Sequence, residues 1–149
     1  MVASGSGFVV SNDKKSSSLV LTNCHVIENH KHVQVETLSC KKLVGTVEYV
    51  DKRLDLAAIR IEDCSMTPLE FESTEDVRVG EFVVAIGYLF TMNHSVTMGI
   101  ISSKSFSDKN LNFPHRSFEG SNGVEYIQTD CSTQIGSSGK ILFAHRQPS

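Results

Sequence analysis

The run Gly7-Phe8-Val9-Val10-Ser11, the polar run Asn12-Asp13-Lys14-Lys15-Ser16-Ser17 and the run Ser18-Leu19-Val20-Leu21-Thr22 decide the fold class. Two short apolar segments rich in β-branched residues flank a polar connection, which predicts a β-hairpin. The same signal repeats outward from it. Residues 32–38 alternate apolar and polar, as a half-buried strand does. Residues 42–50 and 56–61 read as strands on either side of Asp51-Lys52-Arg53. Further strands are predicted at 81–86, 95–103, 126–129 and 140–144. No long amphipathic helix is visible. Residues 106–124 are rich in Ser, Asn, Gly and charge, contain Pro114, and read as a long surface loop. Many short strands with polar turns predict an all-β barrel or sandwich. Pro68 and an acidic run interrupt the strands over residues 65–78, which marks a divide between two subdomains.

Bulk properties narrow the function classes. The chain has 149 residues, 40% hydrophobic and 21% charged, the composition of a globular domain. Net charge is -3 and no basic patch stands out, so nucleic acid and anionic membrane are poor partners. No apolar run is long enough to cross a bilayer. Residues 1–7 show no basic or apolar region of a signal peptide, so none is expected. The four cysteines, Cys24, Cys40, Cys64 and Cys131, form no CxxC pair and are expected to be small buried thiols. Cys24, His25, His30, His32 and Cys40 cluster in sequence, but their spacing fits no common zinc pattern. No metal and no organic cofactor is expected.

Three short segments carry candidate chemistry. His25 lies in Thr22-Asn23-Cys24-His25-Val26-Ile27, Asp55 opens the apolar run Leu56-Ala57-Ala58-Ile59, and Gly136-Ser137-Ser138-Gly139 follows Asp130. Each alone has a plain structural reading: a core imidazole, a turn aspartate, a flexible turn. Their order is what joins them. His, then Asp, then Ser is the order of the chymotrypsin-like triad, and each residue sits at a predicted strand end, where a barrel presents side chains to a cleft.

Several segments also resemble the protease domain of the HtrA (high-temperature-requirement) family of trypsin-like serine proteases. They are Gly5-Ser6-Gly7-Phe8-Val9-Val10, Thr22-Asn23-Cys24-His25-Val26, Asp55-Leu56-Ala57, Gly80-Glu81-Phe82-Val83-Val84-Ala85-Ile86-Gly87 and Tyr126-Ile127-Gln128-Thr129-Asp130. The resemblance spans residues 3–139. It implies a trypsin-like double β-barrel, with residues 3–64 as the first barrel and 79–144 as part of a second. It also implies a serine endopeptidase of protein quality control, cutting unfolded or damaged proteins after small or medium aliphatic residues. By resemblance Ser138 is the nucleophile, His25 the general base and Asp55 its orienting partner. Asp51, nearby, reads as a solvated turn residue. The spacing from Tyr126 to Asp130 favours Ser138 over Ser137. The oxyanion hole is expected in the turn Gly136-Ser137-Ser138, from backbone N–H groups.

The chain also departs from the family pattern. The family has Gly-Asn-Ser-Gly-Gly-Pro-Leu at the nucleophile, where this chain has Gly136-Ser137-Ser138-Gly139-Lys140-Ile141-Leu142. A lysine at 140 is expected to strain the turn if that position needs positive φ or close packing. Beyond Leu142 the chain no longer resembles the family. The strands that complete the second barrel, the PDZ domain and the N-terminal trimerisation segment have no counterpart, so open strand edges and an exposed core face are expected. That pattern motivates an alternative function: an inactive truncated pseudoprotease that binds unfolded protein or modulates full-length partners. Family members work in the mitochondrial intermembrane space, outside the cell or in the periplasm. Asn93-His94-Ser95 matches the N-glycosylation sequon, which matters only in a secreted protein.

Overall fold

The computed structural model describes residues 4–13, 16–27, 29–89, 92–107, 125–133 and 138–144. Its strands are β1 (Phe8–Asp13), β2 (Ser17–Asn23), β3 (His32–Glu36), β4 (Lys42–Asp51), β5 (Leu56–Ile61), β6 (Phe82–Leu89), β7 (Met92–Ser107), β8 (Glu125–Thr129) and β9 (Ile141–Ala144). One helical turn, α1 (Cys24–Ile27), follows β2. The fold is all-β, built on two antiparallel sheets. The first runs β1-β2-β5-β4-β3 and the second β8-β7-β6-β9.

The predicted hairpin forms as β1 and β2, with Phe8 opposite Leu21 and Val9 opposite Val20. A bulge between Val9 and Ser11 shifts the register there, adding local bend to the strand. Alternation does the rest. In β2 and β5, Val20, Ala57, Ile59 and Ile61 turn to one side and bury with Ile27 as the first core. Met66 and Cys64, in the segment after β5, close over it. Ser18 is buried too, and its Oγ donates to the Cys64 carbonyl at 2.7 Å and accepts the Met66 N–H at 2.8 Å. A buried hydroxyl with both partners met costs little, and it staples the chain leaving β5 back onto β2.

The second sheet has a smaller core of Val83, Ala85, Ile101 and Cys131. Its other face remains open. Phe82 is 67% and Met98 69% exposed, with Val96, Ile86 and Phe143 also exposed on the paired strands. An open apolar groove of about 520 Å³ lies here, lined by Gly80, Glu81, Phe82, Val84 and Met98. Among the described residues this sheet therefore presents an apolar face to solvent.

Several expectations need correction. The strand predicted at 32–38 stops at Glu36, because Thr37 to Lys41 turn tightly with Cys40 at φ 60°. Cys40 is consequently exposed rather than buried, while Cys24 and Cys64 are half-buried and Cys131 is buried. Strand β7 extends to Ser107, so the loop expected from residue 106 starts later; residues 108–124 lie outside the described set. No helix among the described residues is long and apolar enough to cross a membrane.

Candidate functional site

The register of β2 against β5 sets the site. Thr22 pairs with Ala57 and Asn23 with Leu56, so the residues just past those pairs face each other. They are Cys24 and Asp55, with His25 next along the chain. His25 was expected at a strand end; it sits instead on the single turn α1, one residue beyond Cys24. The turn aims its ring away from the core, and the side chain is 41% exposed.

Asp55 is held from four directions. Its Oδ2 accepts from His25 Nδ1 at 2.7 Å, and its Oδ1 accepts the His25 backbone N–H at 3.0 Å. Its carbonyl accepts the Cys24 N–H at 3.1 Å and the Asn23 side-chain amide at 3.0 Å. The residue has φ 56°, in the left-handed region that Asp tolerates better than most side chains. The clamp around its carbonyl keeps it there. Asn23 thus helps place Asp55, a role the sequence reading missed. The signal was a polar residue two positions ahead of the histidine, whose partner lies 32 residues away.

On the other side of the ring, His25 Nε2 lies 2.7 Å from Ser138 Oγ. An ionised carboxylate only accepts hydrogen bonds, so the contact with Asp55 puts the ring proton on Nδ1. Nε2 is then left as the acceptor facing the serine hydroxyl. The three residues picked out in the sequence form one continuous chain, Asp55 to His25 to Ser138. Gly136 and Ser137, the other expected oxyanion-hole residues, lie outside the described residues.

The residues just after β8 are anchored to the second sheet. Asp130 Oδ1 accepts the Ile100 N–H at 2.6 Å, and Cys131 is buried in the second core. The Ser132 carbonyl accepts from Thr97 Oγ at 3.1 Å. Beyond Ser138, Gly139 takes the positive φ of 79°, whereas Lys140 is not among the described residues with positive φ. The positive φ in this turn thus falls on the glycine and not on the lysine. Its aliphatic stem lies over Gly87, where a Cβ would collide with it, and its Nζ reaches the Ser132 carbonyl at 3.5 Å. A glycine on β6 makes room for the lysine.

The remaining candidates are engaged elsewhere. Asp51 Oδ1 accepts the N–H groups of Arg53 and Leu54 at 2.9 and 3.0 Å, an Asx turn that closes the β4–β5 connection. His30 Nδ1 is 2.8 Å from the Ile27 carbonyl, and His32 Nδ1 is 3.4 Å from Thr46 Oγ. Among the described residues no group of three or more His, Cys, Asp or Glu could hold a metal.

The family model of the trypsin-like peptidase domain matches residues 5–147. Serine protease HTRA4 of Mus musculus is 39% identical over 94% of this chain and 27% of its own length. The mitochondrial serine protease HTRA2 of Bos taurus is 38% identical over 95% of this chain and 29% of its own. Of the solved structures, the HtrA-type protease AlgW with decapeptide superposes with a TM-score of 0.73 at 26% identity, over 91% of this chain and 38% of that one. The chain spans 27–29% of the length of these two curated relatives. Fold, matched domain and relatives agree, and the chain belongs to the trypsin-like peptidase family, with HtrA-type serine proteases among its relatives.

Proposed function

We propose that this chain is an HtrA-like serine endopeptidase that cuts unfolded or damaged protein. The observation that carries the reading is the unbroken pair of 2.7 Å contacts from Asp55 through His25 to Ser138. A serine hydroxyl is a weak nucleophile until a base takes its proton. In this reading Ser138 Oγ attacks the scissile carbonyl carbon while its proton passes to His25 Nε2. The carbonyl oxygen becomes an oxyanion, met by the backbone N–H groups of Gly136 and Ser138 in the turn Gly136-Ser137-Ser138. Collapse of the tetrahedral intermediate breaks the peptide C–N bond, and the proton on Nε2 leaves with the amine. Water then attacks the acyl carbon while His25 Nε2 takes its proton; the C–Oγ ester bond breaks, Nε2 returns the proton to Ser138 Oγ, and the new carboxylic acid leaves and ionises. Asp55 holds the Nδ1–H tautomer and stabilises the imidazolium formed in each step.

The test is cleavage of an unfolded protein such as reduced, alkylated casein. Ser138→Ala and His25→Ala are each expected to abolish it. Cleavage retained by Ser138→Ala would rule out this nucleophile.

A second reading has its own observation. The apolar groove along Phe82, Val84 and Met98 suits an extended unfolded segment, and a chain that holds such segments without cutting them needs no working triad. Binding of unfolded protein by a folded chain that never cleaves it would favour this reading.

A further inference from the structure

We propose that Ser6 is a positioning residue for Ser138, tying the nucleophile turn to the strand that leads to His25 and to the second sheet. The inference rests on the triad reading above.

Base and nucleophile are 113 residues apart in the chain, and they approach from different sheets. Their separation depends on contacts across the seam between those sheets. Ser6 sits in that seam and bonds to three elements at once. Its N–H donates to the Ser138 carbonyl at 2.6 Å. Its carbonyl accepts from Thr22 Oγ at 2.7 Å. Its Oγ accepts the Tyr88 N–H at 2.7 Å. Thr22 is 6% exposed and lies three residues before His25; Tyr88 belongs to β6. One residue thus references the nucleophile to the strand of the base and to the sheet behind it.

The local packing supports the same role. At Gly139, beside the nucleophile, an added Cβ would collide with the Ser6 carbonyl. The turn rests directly on Ser6 backbone, so a shift of Ser6 is passed to the turn. A misplacement of about 1 Å at reacting groups can cost about 100-fold in rate, so such a clasp has kinetic consequences well beyond its own stability. A purely structural stitch would lower stability without moving Ser138 Oγ relative to His25 Nε2.

The test uses the full chain labelled with 15N-histidine, with the His25 signal among the six histidines assigned by its loss in His25→Gln. The Nε2 shift reads the hydrogen bond from Ser138, and Ser138→Ala gives its position without that bond. Thr22→Val removes the donor to the Ser6 carbonyl, and Ser6→Ala removes only the hydroxyl. Each is expected to move the Nε2 signal part of the way towards the Ser138→Ala position and to slow fluorophosphonate labelling by about 10- to 100-fold. Thr22→Ser should restore both readouts, and Glu48→Gln, a surface change on β4, should alter neither. If Thr22→Val fails to fold, Ser6→Ala carries the test alone. Wild-type Nε2 signals in both variants, with Ser138→Ala clearly displaced, would overturn the role of Ser6 and leave the triad standing. An Nε2 signal that does not move even in Ser138→Ala would overturn both, because there would be no contact to position.

Discussion

Replacing Asp55 by Asn exchanges one carboxylate oxygen for an amide and keeps the shape of the side chain. The site makes the consequence specific. Oδ1 accepts a backbone N–H and Oδ2 accepts from Nδ1, both from His25. An asparagine has one acceptor and one donor for these two places. If its oxygen keeps the backbone N–H, its NH2 faces Nδ1, the ring proton moves to Nε2, and the ring no longer accepts a proton from Ser138. If it flips, its NH2 faces the backbone N–H and a donor is left unmet, at about 1–3 kcal/mol. The negative charge beside the imidazolium is lost either way, worth about 4 kcal/mol at about 4 Å and an effective dielectric constant of about 20. Together these amount to about 5–7 kcal/mol. The ring is 41% exposed, so solvent screening places the effect at the lower end, about 10⁴-fold in rate. This agrees with the loss of about 10⁴ in kcat for such an exchange in a Ser-His-Asp triad. The assay is the rate of fluorophosphonate labelling, read by intact mass, with circular dichroism confirming the fold. A folded Asp55→Asn chain that labels within about tenfold of wild type would refute the tautomer reasoning.

Other substitutions test the scaffold. Gly139→Ala puts a side chain at φ 79° and against the Ser6 carbonyl; it should cost at least about 1–2 kcal/mol and lower Tm by several degrees, read by thermal melts. An unchanged Tm there would contradict the turn geometry. Ile61→Ala opens a cavity at a fully buried position of the first core and should cost about 2–5 kcal/mol, measured by urea unfolding. The Arg60 guanidinium, bonded to Glu48 at 2.9 and 3.0 Å, holds that carboxyl below its ordinary range. The lowered value means the pair stabilises the fold above the unfolded-state range and that this contribution disappears as pH falls through the folded value. Because Glu48 is 44% exposed, the amount is only about 0.2–1 kcal/mol. The stability gap between wild type and Glu48→Gln should therefore close on acidification, and a gap independent of pH would contradict the ion pair.

Local patterns carried most of the fold. Strand β5 has the bounds its apolar run predicts, and the β1–β2 hairpin forms with Asn12, Asp13 and Ser17 of the expected polar connection drawn into the strands. The misses have a common physical cause, which is dependence on distant partners or on a single turn. Four residues are too few to show a helical period, so in the sequence α1 looks like the end of a strand. Glu36 ends β3 because the following turn needs a positive φ, which Cys40 does not advertise as Gly or Asn would. At the site, residue order and resemblance picked out His25, Asp55 and Ser138. The partners that hold them were hidden, because Asn23 acts on a carbonyl 32 residues away and Lys140 is accommodated by Gly87 on another strand. The open face of the second sheet was not legible in β6 itself, because Phe82 to Ile86 is apolar throughout and only burial, not residue type, alternates there.

The measurement that decides the account is active-site labelling of the purified, folded chain with a fluorophosphonate probe, followed by peptide mapping. The account predicts one adduct per chain, on Ser138 Oγ, absent from His25→Ala. A chain folded by circular dichroism that takes no adduct, or takes it at another serine, would contradict it.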